Sequence, residues 1–184
     1  MRRGVRILVV STVLLLAFAV PAAAAPGVPI KGTVTGVHGP PDFGAPGCPT
    51  WAVWRYSSNG AGQMSHLGRV EYTLTQCTVP VSDGNWSEGT IEIVAANGDK
   101  LYLEHTMFSQ MVFGDAGPLG FTLVGEWEAV GGTGRFAQAT GGGMLNGVGD
   151  IPDGKETLGL PDGLAEFNLK GRIAYDAADR SLKP

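Results

Sequence analysis

The fold is decided by the stretch Thr90-Ile-Glu-Ile-Val-Ala-Ala-Asn-Gly-Asp-Lys-Leu-Tyr-Leu-Glu-His105. In both halves of it, apolar residues alternate with polar ones, which is typical of a β-strand with one buried and one solvent-exposed face. Asn97-Gly98 separates the halves and is the strongest short hairpin signal, because both residues tolerate the positive φ of a type I′ turn. The stretch therefore predicts a β-hairpin, and its buried side chains are Ile91, Ile93, Ala95, Leu101, Leu103 and His105.

The same alternation recurs along most of the chain. It predicts further strands near residues 30–37, 66–76, 121–129, 142–149 and 166–175. Glycine and proline separate these strands, and no stretch of a dozen residues keeps the apolar spacing of a helix. Seven or eight short strands favour one all-β domain, either a closed antiparallel barrel of about eight strands or a sandwich. The barrel is preferred because it leaves no strand edge unpaired.

A segment rich in proline and glycine, from Gly39 to Thr50, interrupts the strand pattern. An aromatic cluster follows it, made of Trp51, Trp54 and Tyr56. We expect this part of the chain to be a loop whose aromatic side chains cover one end of the barrel. The chain's two cysteines, Cys48 and Cys77, favour a disulfide that ties the loop to the barrel and stabilises the fold by about 3 to 4 kcal/mol.

The first residues have the features of a secretory leader. A basic start with three arginines precedes an apolar run from Ile7 to Val20, and small residues ending at Ala25 follow as a cleavage site. The run has about 14 residues, whereas a membrane-spanning helix needs about 20. We predict a signal peptide over residues 1–25, a barrel domain over 26–176 and a flexible tail over 177–184. The mature protein is expected to be secreted to the extracellular space, where thiols are oxidised.

Charge and composition narrow the possible partners. The formal charge is −4, and it becomes −7 when the three arginines of the leader are removed. An acidic protein with scattered basic residues is not expected to bind nucleic acid or an anionic lipid surface, and we expect no membrane partner after the leader is removed. The three histidines lack ligand-type spacing and no CxxC occurs, so neither a metal site nor a cofactor is predicted. The oligomeric state is left open.

One segment carries a family resemblance. Gly131-Gly-Thr-Gly-Arg-Phe-Ala-Gln-Ala-Thr-Gly141 resembles the GGTG-basic-Phe-x-x-Ala-x-Gly motif of plant dirigent proteins, whose eight-stranded barrel is also the fold of allene oxide cyclase. The segments His66-Leu-Gly-Arg69 and Ala95-Ala-Asn-Gly-Asp99 are similar to those of small secreted bacterial proteins that share this barrel. The resemblance implies the barrel architecture for the mature chain.

The residues of this motif also predict its local structure. Thr133 is expected to be the N-cap of a single helical turn that carries Phe136 and stops at Gly141. The resemblance implies a structural role in closing a corner of the barrel, with Arg135 bonded to backbone carbonyls. The motif comprises Gly131, Gly132, Thr133, Gly134, Arg135 and Phe136.

The inward positions of the predicted strands are the candidate site. A barrel of about eight strands is either filled by its own side chains or holds one small ligand, and mostly apolar inward positions suit both. The residues predicted to bind a ligand are Tyr72, His105, Leu123, Trp127 and Tyr175. His105 is also the candidate catalytic residue, because a histidine at the end of a buried strand can act as a general acid or base. An ordinary core histidine is the alternative.

Three functions are open. The preferred hypothesis is a secreted barrel that binds a small apolar molecule or serves as a stable extracellular module. The resemblance to allene oxide cyclase implies the first alternative, a cyclase or isomerase acting on a small hydrophobic intermediate. The second alternative is a surface interaction protein that uses the aromatic cluster. A glycosidase is not predicted, because Glu126 and Glu128 lie on the strand face opposite Trp127.

Overall fold

Within residues 27–115, 117–150 and 163–175, which the computed structural model describes, the chain forms nine β-strands and one turn of 3₁₀ helix. The predicted leader and tail lie outside these residues. The strands are β1 (Val28–His38), β2 (Asp42–Phe43), β3 (Trp54–Met64), β4 (Gly68–Val81), β5 (Gly84–Val94), β6 (Lys100–Gly114), β7 (Gly117–Gly132), β8 (Thr140–Asp150) and β9 (Leu164–Ala174). The 3₁₀ turn spans Gly134–Phe136.

Eight of the strands close into an antiparallel barrel. From β3 to β9 each strand pairs with the next along the chain, and β1 pairs with both β9 and β3. The short strand β2 adds to the edge of β3 and stands outside the closed ring. The prediction of an all-β antiparallel barrel of about eight strands is therefore confirmed. No helix in the described ranges is long and apolar enough to cross a membrane.

Strand β3 was not predicted, because the segment that contains it was expected to be a loop. Its middle, Ser57 to Gly62, is small and polar and shows no apolar alternation. The structure pairs it with β1 so closely that a Cβ on Gly60 would overlap the carbonyl of Thr35 and the Cα of Gly36. Close backbone approach between glycines, and not an apolar face, gives this strand its place in the ring.

The central hairpin has the predicted faces but a different turn. The six side chains predicted to be buried are all in the core. Gly98 has a positive φ of 87°, whereas Asn97 is not among the residues with positive φ, so the turn is not type I′. Ala95 pairs with Asp99, since its N–H donates to the Asp99 carbonyl at 2.8 Å, and the loop between them has three residues. The Asn97 side chain accepts a hydrogen bond from the Asp99 N–H at 3.2 Å.

The glycine-rich motif closes one end of the barrel. Phe136 is fully buried there as part of the 3₁₀ turn. Thr133 is the N-cap residue of this turn, as predicted, but its side chain makes no capping hydrogen bond. Its hydroxyl accepts a hydrogen bond from the Lys100 N–H at 2.9 Å instead. Arg135 donates from Nη2 to the His66 carbonyl at 3.0 Å, and its Nε lies 3.6 Å from a carboxylate oxygen of Asp99. The motif thus joins three connections at this end.

The interior is apolar over most of its length. Inward side chains from all eight barrel strands form one core cluster, whose large members include Ile30, Met64, Val70, Tyr72, Ile93, Leu103, Trp127, Leu145 and Phe167. The predicted disulfide is also confirmed: Cys48, between β2 and β3, is bonded to Cys77 of β4 with a Cα–Cα distance of 5.6 Å. The bond fixes the connection before β3 to the wall of the barrel.

Replacing Gly134 by alanine tests the structural role of the motif. Gly134 has a φ of 54°, and a Cβ there would collide with the carboxylate of Asp99. We expect Gly134→Ala to lower the free energy of unfolding by about 1 to 3 kcal/mol in a urea titration. Gly39→Ala is the matched control, because its Cβ would lie at an ordinary 3.6 Å from the Ser57 carbonyl oxygen. Equal losses in the two variants would contradict a structural role.

Removing the disulfide tests how much the covalent link stabilises the barrel. The two cysteines are 29 residues apart, so the bond restricts a sizeable loop in the unfolded chain. The double variant Cys48→Ala/Cys77→Ala should lose about 3 to 4 kcal/mol of unfolding free energy. Wild-type protein held under reducing conditions should unfold at about the same urea concentration as the double variant. A double variant as stable as the oxidised protein would show that the link contributes nothing.

Candidate functional site

The two ends of the barrel are built differently. At the end where β1 begins, Leu67, Phe136 and Ala139 are buried and fill the space between the strands. At the other end, where β1, β4, β6 and β8 finish, a cavity of about 470 Å³ opens from the interior. We call these the closed end and the open end. The open end is the candidate functional site.

The wall of the cavity is mostly apolar and comes from seven of the barrel strands. The apolar lining side chains are Leu74 of β4, Met107 and Met111 of β6, Phe121 and Leu123 of β7, and Phe167 of β9. Pro40 and Pro41 lie at the rim, in the connection after β1. Alternation in each strand points these side chains inward, and their position near the strand ends places them at the opening.

A few polar groups interrupt this wall, and the structure gives several of them protein partners. Ser58 Oγ lies 2.9 Å from the hydroxyl of Tyr72, and burial raises the pKa of that tyrosine. His38 Nε2 lies 2.8 Å from the backbone carbonyl oxygen of Asp150. Among the described lining residues there is no aspartate, glutamate, lysine or arginine. The cavity is therefore suited to an uncharged molecule, because a charged one would lose its hydration without gaining a counter-charge.

A glycine makes room for the tyrosine hydroxyl. A Cβ on Gly36 would lie 2.5 Å from the hydroxyl oxygen of Tyr72. Because Gly36 has no side chain, that hydroxyl can reach Ser58, and the Tyr72 ring packs edge-on against Phe167 with centroids 5.8 Å apart. Both Ser58 and Phe167 line the cavity, so Tyr72 supports its wall from behind.

The structure does not bring all the predicted ligand-binding residues together. Leu123 lines the cavity, and Tyr72 lies behind two lining residues. Trp127 is buried and donates from its indole N–H to the Met144 carbonyl at 3.1 Å, away from the described cavity wall. Tyr175 lies at the closed end, where its ring centroid is 5.1 Å from that of Phe136. The predicted set therefore spans the length of the barrel.

Several lining residues were missed at the sequence level. Ser58 belongs to β3, which had no apolar alternation to reveal it. Met107, Ser109 and Met111 extend the period-2 pattern of β6 beyond His105, where the predicted strand ended. Continuing that alternation past His105 would have found all three.

His105 is a buried histidine without a hydrogen-bond partner. It is 4% exposed, and neither ring nitrogen is hydrogen-bonded to the described part of the chain. It lies between Gly89 and Trp127 on the neighbouring strands. Burial lowers the pKa of His105 to about 4, so the ring is neutral at pH 7. His105 does not line the cavity at the open end, but together with Trp127 it borders a second depression.

A second depression lies on the outer wall of the barrel. It has a volume of about 890 Å³ and is bordered by Pro49 and Trp51 of the disulfide-linked connection. Its carboxylates are Glu88, Glu104, Glu126 and Glu128, which share the outward face of β5, β6 and β7. In the described ranges no three or more histidine, cysteine, aspartate or glutamate residues are placed to hold a metal ion. Because this depression is more open to solvent than the cavity at the open end, the cavity is the better candidate for a ligand site.

His105 makes the folding stability depend on pH. Its pKa is about 4 in the folded protein and 6.5 for an unburied histidine, so the unfolded chain takes up the proton first. As far as His105 is concerned, the free energy of unfolding has its full value above pH 6.5 and decreases as the pH drops to 4. The decrease caused by this group is about 3 kcal/mol. Replacing the ring by methionine, in His105→Met, should remove this part of the acid sensitivity in urea titrations at pH 7 and pH 4.

The matched control for that experiment is His66→Asn. His66 is exposed and has a positive φ of 67°, a conformation that asparagine also tolerates. This variant should keep the wild-type dependence on pH. Identical pH dependence in His105→Met and wild type would show that burial does not shift the titration of His105.

Comparison with protein-family models, with curated proteins and with solved structures finds no match for this chain. The resemblance of residues 131–141 to dirigent proteins therefore stays a prediction. An eight-stranded barrel is the fold that the resemblance implies, and the chain forms one. Because closed barrels serve unrelated families, the fold alone assigns neither a family nor an activity.

Proposed function

We propose that this protein binds a small, uncharged and largely apolar molecule in the cavity at the open end of the barrel. The observation that carries the proposal is the cavity itself: about 470 Å³, lined mainly by apolar side chains, with no charged carboxylate, ammonium or guanidinium group among the described lining residues. Ligand sites in proteins are typically concave, about 300 to 1,000 Å³, and apolar with a few polar groups.

The shape of the cavity follows from the way the barrel is packed. The closed end is filled by Phe136 and its neighbours, so a ligand would have access from the open end alone among the described surfaces of the interior. Burying an apolar molecule there stabilises the complex by about 25 cal/mol per Å² of surface removed from water. The polar groups at the wall, including Ser109 and Asn85, are placed to bond one oxygen or nitrogen of the ligand.

We also place this function outside the cytoplasm. The sequence predicts a secretory leader over residues 1–25, and the structure holds a disulfide between Cys48 and Cys77. Disulfides persist in oxidising compartments, which supports an exported protein.

Binding is favoured over catalysis by the chemistry of the wall. A cyclase or isomerase, the alternative implied by the resemblance, needs a group that takes or gives a proton beside the substrate. His105 lies off the described cavity wall. His38 is on the wall, but its Nε2 is already engaged with the Asp150 carbonyl at 2.8 Å. The alternative of a surface interaction protein has less support, because it needs the aromatic cluster as an exposed contact surface. Trp54 and Tyr56 are partly buried in β3, and only Trp51 of the cluster is exposed.

The experiment is a fluorescence titration with N-phenyl-1-naphthylamine, an uncharged apolar dye that brightens when it leaves water. We expect saturable binding to the wild-type protein with a stoichiometry of one. Ser109→Trp should fill the opening of the cavity and weaken binding by at least about tenfold, which is about 1.4 kcal/mol. The fold should tolerate this change, since Ser109 is only half-buried.

The matched control is Thr122→Trp, which places the same bulk on the outer wall. Thr122 is exposed on β7 and pairs with Gln110, the neighbour of Ser109 on β6. This variant should bind the dye as the wild type does. Equal affinity of Ser109→Trp, Thr122→Trp and wild type would show that the dye does not enter the cavity and would contradict the proposal.

A further inference from the structure

The last residue of β1, His38, lines the cavity and is held in one orientation. Its Nε2 lies 2.8 Å from the backbone carbonyl oxygen of Asp150. A carbonyl oxygen only accepts hydrogen bonds, so Nε2 carries the hydrogen and donates it. In the neutral ring the other nitrogen, Nδ1, then has a lone pair and can only accept a hydrogen bond. The bond to Asp150 therefore makes His38 Nδ1 an acceptor.

The lone pair of His38 Nδ1 has no partner in the part of the chain that the structure describes. Both ring nitrogens of His105 are buried polar atoms without a partner, and His38 Nδ1 is not among such buried atoms. The His38 ring belongs to the cavity wall. It therefore offers a ligand in the cavity an acceptor for which no protein group competes.

A hydroxyl donor lies on the neighbouring strand. Ser58 of β3 pairs directly with His38, and Tyr56 is the next residue on the same face of β3, toward the open end. Diagonal neighbours of this kind are about 7–8 Å apart, which is within reach of aromatic side chains. Burial raises the pKa of Tyr56, so its hydroxyl keeps the proton. That hydroxyl also has no hydrogen-bond partner within the described ranges.

The polar side chains beside this acceptor and donor are already engaged. Ser58 Oγ lies 2.9 Å from the hydroxyl of Tyr72, and Gln76 Nε2 donates to Ser87 Oγ at 3.4 Å. Among the inward lining side chains of β1 and β3, the imidazole acceptor and the Tyr56 donor are therefore the two that are open to a ligand.

The acceptor lies directly beside the apolar part of the wall. The ring of His38 packs edge-on against that of Phe121, with centroids 5.6 Å apart. Strands β7 and β9 contribute only apolar side chains to the described lining, namely Phe121, Leu123 and Phe167. A ligand that bonds to Nδ1 therefore has to carry its polar group directly on an apolar body.

We propose that the molecule bound in the cavity is an uncharged alcohol with an apolar body, whose hydroxyl group donates to Nδ1 of His38 and accepts from the hydroxyl of Tyr56. A hydroxyl group donates and accepts through the same atom. Ethers, ketones and esters only accept, so they would leave the His38 lone pair unpaired beside an apolar surface, which lowers their affinity. This inference rests on the proposed cavity function and specifies the class of ligand.

His38 was not among the residues predicted from the sequence to bind a ligand. The strand predicted over residues 30–37 ended one position before it. The hydrogen bond that orients its ring joins residues 112 positions apart, so no local pattern indicates which nitrogen accepts.

The test compares 1-adamantanol with its methyl ether, 1-methoxyadamantane, as competitors that displace N-phenyl-1-naphthylamine. Both have the same rigid apolar body, and the ether lacks the O–H donor. Each inhibition constant is corrected for the affinity of the same protein for the dye. We expect the wild type to bind the alcohol about tenfold more tightly than the ether, which is the effect of one hydrogen bond.

Variants of His38 assign this preference to its ring. His38→Phe keeps a ring beside Phe121 but has no acceptor, so it should bind the alcohol and the ether about equally. His38→Gln has an amide that can donate to the Asp150 carbonyl and accept from the ligand, and it should keep part of the preference. The matched control is His66→Asn, because His66 is exposed and distant from the cavity lining. This control should keep the full preference.

Nitrogen-15 NMR of the wild-type protein tests the orientation without relying on the folding of a variant. The His38 ring, assigned by its absence from the His38→Gln spectrum, should have Nε2 protonated and Nδ1 unprotonated. The Nδ1 signal should shift when 1-adamantanol is added and stay in place when the ether is added.

Three results would overturn the inference: equal binding of alcohol and ether by the wild type, a preference that survives in His38→Phe, and the opposite tautomer in the NMR spectrum. Dye that 1-adamantanol cannot displace would reject the alcohol and leave the cavity function standing. A wild-type protein that binds no dye would reject the cavity function, and this inference with it.

Discussion

The barrel depends on one strand being hydrogen-bonded on both sides. Strand β1 pairs with β9 along one edge and with β3 along the other, and without this second ladder the sheet would stay open. The β1–β3 ladder requires two backbones to come unusually close, with Gly36 directly opposite Gly60. Side chains at these positions would hold the strands apart, so the barrel can close only because both residues are glycine. The rest of the core packs inside the closed barrel.

Closure also determines where a cavity can exist. The absence of a side chain at Gly36 lets the Tyr72 hydroxyl meet Ser58 across the seam, which gives two buried polar groups a partner. Between this pair and the closed end the interior is filled. Between the pair and the open end, methionine, leucine and phenylalanine side chains form the wall of the cavity. The close approach of β1 and β3 therefore lies at the boundary between the packed half of the interior and the half that contains the cavity.

Much of this architecture could be predicted from the sequence, and the failures have physical reasons. The alternation from Thr90 to His105 predicted a hairpin whose buried face is correct, because most of the inward residues there are large and apolar. Strand β3 escaped prediction because it is held by backbone proximity, which leaves no apolar pattern. The turn at Asn97 was misassigned because a single positive φ at Gly98 suffices for a three-residue loop.

The candidate site was less predictable than the fold. Alternation shows which side chains point inward, but it does not show how far along the barrel the filling extends. Tyr175 and Leu123 are both on inward faces, yet one lies near Phe136 at the closed end and the other at the cavity wall. Their separation depends on the stagger between strands, which pairing partners distant in sequence decide. A list of inward residues therefore includes residues that do not line the cavity.

The pairing of β1 with β9 has a consequence for the order in which the chain can fold. Thr33 bonds Asn168 across that ladder, a contact between residues 135 positions apart. Hairpins from β3 to β8 can form early, because each of these strands pairs with its neighbour in sequence. Strand β1 has one edge without hydrogen-bond partners until β9 has been synthesised. Premature termination before β9 would thus leave two exposed edges at once, a state prone to pairing with other chains.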